Sequence, residues 1–145
     1  FPRPWTDERL DNMHVPLLFY APDLLQPKRV HAFVSQVDVL PTAAGLAGIS
    51  YRNTTLGRDL LDSAYTADKA FSFLYDPDQG YFGLLMGDYL YREQMATHQG
   101  ALYSIVSNDP VDPVRAGDSL AIMSALTKGI YETSRYLLLN NKKKP

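Results

Sequence analysis

An α/β class, turning to α+β in its second half, is predicted by three observations. Residues 15–21 form a continuous apolar run between two prolines, four short aromatic or β-branched runs follow one another later, and the chain closes on a helical pattern. The expected architecture is one buried strand and one helix from a larger α/β sheet. A four-stranded antiparallel meander packed by a long C-terminal helix then follows. Residues 1–66 are assigned to the first unit and 67–145 to the second. The 145 residues, 46% apolar and 21% charged, fall in the globular range.

Residues 1–13 are polar and punctuated by proline, so they are expected to form a loop arriving from further sequence. An opening Phe-Pro-Arg-Pro-Trp reads as the middle of a longer protein. In HVPLLFYAP the apolarity is continuous, not alternating, which suits a strand covered on both faces, with Pro16 at its start. Asp38 is expected to cap the next helix with its carboxylate. Pro41 fits the first turn, where a missing N–H costs little. Leu40, Ala44 and Ala47 recur at helical spacing, and Gly48 suits the position just past the end. In GISYRNTTLGRDLLD, Gly57 is expected to need an unusual backbone angle.

In the second half, KAFSFLYD, GYFGLLMG, DYLYREQ and QGALYSIVS are separated by DPDQG, GD and THQG, which are hairpin signals. Gly87-Asp88 suits a two-residue turn. Phe71, Phe73 and Tyr75 alternate, as do Tyr89 and Tyr91, predicting one buried and one wet face. Asp118 opens the last helix. Its stripe of Leu120, Met123, Thr127, Ile130, Tyr131, Ser134, Leu137 and Leu138 should pack on the meander, Ser and Thr bonding back to their own backbone.

Few residues look reactive. A net charge of −2 gives no field to steer the chain onto nucleic acid or an anionic membrane. With no cysteine, disulfides and thiolate metal sites are excluded. His14, His31 and His98 lie in separate elements and form no HxH, HExxH or Asp-His pair, so no metal site is assigned. No GxSxG, Walker or GxGxxG motif occurs. His31 and His98 read as surface residues, and Arg92 and Glu93 as neighbours on opposite faces. Asp109 and Asp112 sit in a proline-rich loop, without the spaced oxygen series that calcium needs. Lys142, Lys143 and Lys144 read as a solvated tail first, with contact to an anionic lipid as the second reading.

HVPLLFYAP, SQVDVLPTAAGLAGI and LGRDLLD, in that order over residues 14–62, resemble the C-terminal blocks of the alkaline phosphatase/sulfatase superfamily. The structural motif residues are Gln36, Asp38, Pro41, Gly57 and Asp59. MGDYLYREQ before a final helix is similar to the branch of lipoteichoic acid synthases and phosphoglycerol transferases.

The resemblance implies a parent enzyme that acts on phosphate esters. In it a threonine attacks phosphorus, supported by a divalent cation (Mn, Mg, Ca or Zn) that offsets charge on the equatorial oxygens. It further implies that the nucleophile and the Asp-His metal pair lie upstream, so this chain holds no catalytic residue, binds no cofactor and is inactive alone. His14 takes the place of the family's cleft arginine. Nine positions before it, where true sulfatases carry a lysine, stands Trp5, and the first lysine is Lys28. His14 and Trp5 are therefore the substrate-cleft candidates.

The expected location is the extracytoplasmic face of a bacterial cytoplasmic membrane, the parent being anchored by upstream helices. The expected partners are the upstream catalytic part and, through an unpaired strand 15–21, further copies of the chain. Two alternatives stand beside this reading: an arylsulfatase-type hydrolase, and a stand-alone binding module using Tyr81, Tyr89, Tyr91 and Tyr103.

Overall fold

A computed structural model describes residues 10–65, 70–107 and 111–141. Its elements in chain order are α1 (Leu10–Met13), a 3₁₀ turn (Gln36–Asp38), α2 (Val39–Leu46), β1 (Phe71–Asp76), β2 (Tyr81–Met86), β3 (Tyr89–Gln94), β4 (Gly100–Ser104), α3 (Pro113–Ala116) and α4 (Ser119–Asn140). The four strands form an antiparallel sheet in the order β1-β2-β3-β4, and α4 packs against it. This is the mixed α/β fold expected.

The predicted turn chemistry is realised. Met86 pairs with Tyr89 across the two-residue loop, and Gly87 carries φ 56° at its first position. That angle is open to glycine and strained for residues with a Cβ. At the end of α2, Gly48 has φ 65°. The Ile49 amide donates to Ala44 O at 2.9 Å and the Gly48 amide to Gly45 O at 3.1 Å. Those two bonds are the paired closure of a Schellman motif.

Phe73, Leu84, Tyr91 and Leu102 stand in register across the sheet. Leu84, Tyr91 and Leu102 form a core with Met123 of α4 and Ala116 of α3, with Phe73 packed against it. The second face, predicted to be wet, is buried too. Leu74, Leu85 and Leu90 pack there under Leu10, with Met13 and Phe33 alongside. Residues 10–13, read from their polarity as loop, make one helical turn because Leu10 anchors them to this face.

Three further expectations are corrected. Residues 15–21 form no strand and lie mostly in water, Leu18 at 84% and Tyr20 at 85% exposure. A strand needs a ladder partner, and among the described residues none of the four strands pairs with this run. Second, the α4 stripe is fully buried only at Met123 and Thr127 and half-buried at Leu120, Ile130, Tyr131 and Leu137, while Ser134 and Leu138 are exposed. A helix of 22 residues spans about 33 Å and a strand of six about 20 Å, so the helix outruns the sheet. Thr127 behaves as predicted, its hydroxyl donating to Met123 O at 2.6 Å. Third, Gly57 has no positive φ. A Cβ there would lie 2.7 Å from the Val37 carbonyl carbon and 2.9 Å from Pro41 Cγ, so the glycine is required by close approach.

Candidate functional site

Two polar clusters emerge from this packing. The first gathers most of the motif residues. The 3₁₀ turn lengthens α2 backwards, so the extended residue at its start is Ser35, and Asp38 sits one turn inside. Asp38 therefore does not cap α2 with its side chain, as its place in the sequence suggested. Its Oδ2 reaches back to accept from the Ser35 amide at 2.9 Å. Oδ1 accepts from the Arg58 amide at 2.7 Å and from Arg58 Nε at 3.1 Å, and Oδ2 also accepts from Arg58 Nη2 at 2.8 Å.

The Asp38 carboxylate is fully buried and saturated by donors. Beside it the buried Thr42 hydroxyl donates to Asp38 O at 2.6 Å and accepts from the Leu60 amide at 3.1 Å. Helix α2 is thus stitched to the returning loop at both 58 and 60.

Arg58 carries the cluster on to the sheet. Its Nη2 also donates to Phe71 O at 2.8 Å, and its guanidinium lies 4.0 Å from the Phe71 ring centroid and 5.3 Å from that of Tyr65. Burial pushes the Tyr65 phenol up, with Arg58 opposing and Asp38 reinforcing the shift. Ser35 Oγ accepts from the Phe73 amide at 3.2 Å. The outward-facing carbonyl of Phe71 and amide of Phe73, groups an edge strand leaves unpaired, are both occupied by the motif segment.

The candidates named from sequence separate here. Asp38, Pro41 and Gly57 come together, and Asp59 borders them, its carboxylate against the α-carbon of Gly45 and its Oδ1 accepting from the Leu61 amide at 2.9 Å. Gln36 is exposed on the outer side of the turn, and His14 is exposed after α1, outside this cluster. Trp5, Asp109 and the three closing lysines lie outside the described residues. Asp112 caps α3, accepting from the Val114 amide at 2.9 Å.

The second cluster was not anticipated. Tyr91 and Glu93 share the sheet face that α4 covers, and Glu93 is fully buried. The Tyr91 hydroxyl donates to Glu93 Oε2 at 2.6 Å and lies 3.0 Å from Ser124 Oγ. Lys128 Nζ stands 3.5 Å from Oε2, and His98 Nδ1 stands 3.4 Å from Oε1. Burial, and after it the bond to Glu93, push the Tyr91 phenol up to about 12. Tyr91 is thereby held as a hydrogen-bond donor and not as a base.

Tyr91, His98, Leu120, Ser124 and Lys128 line an open cleft of about 460 Å³. Gly100 lets the Tyr91 ring pass, since a Cβ there would lie 2.7 Å from its Cζ. The sequence held one signal for this site, a carboxylate in the apolar phase of the DYLYREQ alternation. Arg58 had no such signal, because its partner lies twenty positions away.

Among the described residues no group of three or more His, Asp or Glu side chains is placed to hold a metal ion. No curated protein and no solved structure matches the chain. The family described as Sulfatase matches residues 2–49, about a third of the chain, including the HVPLLFYAP and SQVDVLPTAAGLAGI blocks. This match supports an affiliation of the chain with the alkaline phosphatase/sulfatase superfamily.

Proposed function

We propose that the chain is the C-terminal part of a sulfatase-like, metal-dependent transferase of phosphoglycerol or related phosphoryl groups, or a phosphodiesterase, acting on cell-envelope lipid or glycan. Within it, this chain supports the catalytic part and does not perform the reaction. The observation that carries the reading is the Asp38 carboxylate. Its lone pairs are taken by donors from Ser35 and Arg58, which leaves it no capacity to bind a cation or accept a substrate proton. The motif residue that looks most reactive is a structural tie between α2, the loop at 58 and strand β1.

The described residues do not fit the divalent cation that the family resemblance implies, so no step is derived through it. In this proposal the cation and the nucleophile belong to an upstream catalytic part of the same polypeptide, on the extracytoplasmic face of a bacterial membrane. The exposed apolar run 15–21, which has no ladder partner among the described residues, supports packing against that part or, in its absence, against another copy.

Two assays test this. The purified 145-residue chain is expected to turn over no phosphodiester substrate, and turnover abolished by a chelator would overturn the proposal. A longer reading frame is expected to encode an Asp-His pair upstream, and a start codon next to Phe1 would count against it. Sulfate-ester cleavage by the longer protein, with phosphodiesters untouched, would favour the arylsulfatase reading. The stand-alone binding module draws no support from Tyr81 and Tyr91, since both are buried and cannot stack on a sugar.

A further inference from the structure

We infer that the cleft between α4 and the β3–β4 hairpin binds a neutral sugar unit. Its hydrogen-bonding character is set by the buried Glu93. The Tyr91 proton goes to the closer, charged acceptor, Glu93 Oε2 at 2.6 Å, so the 3.0 Å contact with Ser124 is made by the serine proton. Ser124 Oγ is thereby left with lone pairs only. A carboxylate only accepts, so in the neutral ring His98 Nδ1, 3.4 Å from Oε1, carries the proton and Nε2 is left as an acceptor. Lys128 Nζ stands 3.5 Å from Oε2 and keeps its remaining N–H groups for the cleft.

This mixture of donors and acceptors decides the class of ligand. An anion only accepts hydrogen bonds and would leave Ser124 and His98 unmet. An ammonium only donates and would leave Lys128 unmet. A hydroxyl does both. Charge agrees, because Lys128 and Glu93 cancel and a neutral His98 adds nothing, so the cleft has no net field for an ion.

The rest of the wall is apolar or bare. Leu120, Ala121 and Pro113 present carbon, and Gly100 and Gly117 carry no side chain. A sugar ring has the same division, with C–H groups on its face and hydroxyls around its rim. The volume of about 460 Å³ lies in the range of small-molecule sites, about 300–1,000 Å³. His98 lines the cleft from a backbone of φ 56°, the single non-glycine in the left-handed region among the described residues. Its amide is held there by Gln94 O at 2.9 Å. Such a conformation persists where the surrounding structure fixes it.

The test is titration of the isotope-labelled 145-residue protein, followed by amide NMR shifts. The probes are D-glucose, D-galactose, maltotriose, glycerol, inorganic phosphate and ethanolamine. Saturable binding of at least one sugar is expected, with Kd on the order of 1 mM, moving the amides of Gly100, Ser124 and Lys128. Glycerol has no ring face to lay on Leu120 and Pro113 and should bind at least about tenfold more weakly, with phosphate and ethanolamine weaker still. Maltotriose bound at least as tightly as the monosaccharides assigns a unit within a chain, and monosaccharide binding without it a free sugar. Ser124→Ala should weaken binding about five- to tenfold. Ala121→Leu, which fills the floor from an exposed position, should abolish it with the unfolding temperature unchanged. No saturable sugar shift, shifts confined to residues away from the cleft, tighter binding of phosphate or ethanolamine, or full binding by Ala121→Leu would overturn the inference. Sugar binding is read apart from phosphodiester turnover, so its failure and that of the phosphoryl-transfer reading are distinct results.

Discussion

The Arg58 guanidinium closes on the Asp38 carboxylate through Nε–Oδ1 at 3.1 Å and Nη2–Oδ2 at 2.8 Å, and the same Nη2 holds the Phe71 carbonyl of strand β1. One side chain thus joins the motif segment to the meander and occupies a backbone acceptor at the sheet edge. The carboxylate is fully buried while the guanidinium keeps one-fifth of its surface in water. The costs of desolvating the two partners are therefore unequal, and losing the arginine is the more damaging change.

Arg58→Ala is expected to destabilise the protein by about 3 kcal/mol, because a buried carboxylate loses its charged partner. Arg58→Lys should recover only part of this, since an ammonium can neither fork onto both oxygens nor stack on Phe71 in the same way. Denaturant unfolding of the two variants checks the order. Equal stability of wild type and Arg58→Ala would refute the tie.

Glycines 57 and 87 should respond to alanine for different reasons. At Gly57 the added methyl meets the Val37 carbonyl and the Pro41 ring, and about 1–3 kcal/mol of overpacking is expected. At Gly87 there is open space but a φ of 56°, so the cost is about 1 kcal/mol of backbone strain. Gly87→Asn, which tolerates that angle, should be milder than Gly87→Ala, whereas Gly57→Asn should be worse than Gly57→Ala. Thermal unfolding of the four variants decides it.

Thr42→Val keeps the shape and removes the hydroxyl that serves both Asp38 O and the Leu60 amide. A loss of about 1–2 kcal/mol is expected, from the polar groups left unpaired. Amide exchange at Leu60 should quicken more than exchange in β2, which is held by strand pairs on both sides.

The Tyr91 phenol, raised to about 12, predicts an alkaline limit. Below pH 10 the phenol is protonated in both folded and unfolded chains, so it adds no pH dependence. Between 10 and about 12 the unfolded chain has released the proton and the folded one retains it, so stability falls as pH rises through that window. Tyr91→Phe should be less stable at neutral pH by about 1–2 kcal/mol, through the lost bond to Glu93. It should also decline less steeply above pH 10. Parallel alkaline curves for the two proteins would contradict this placing of the proton.

Much of the fold was legible because its signals are local. The Gly87-Asp88 turn, the Gly48 closure of α2, the strand periods and the length of α4 each depend on residues within a few positions of one another. The motif blocks were equally legible, and the Sulfatase match covers two of them. The function of Asp38 was only half legible. Its type and place before a helix suggested a cap, but whether the chain begins its turn at Ser35 or at Asp38 depends on what the carboxylate meets from residue 58.

The sequence alone determined which segments become strands of the meander, where they turn and which superfamily the first blocks resemble, because backbone preference and side-chain period are short-range properties. Tertiary structure alone decided that both sheet faces are buried, that residues 15–21 pair with no described strand, and that Glu93 lies under α4 beside Tyr91 and Lys128. It likewise decided that Arg58 ties Asp38 to the edge of β1. Each of these rests on contacts between distant parts of the chain. A carboxylate's role is set by the donors that packing brings to it, and no spacing along the chain specifies those.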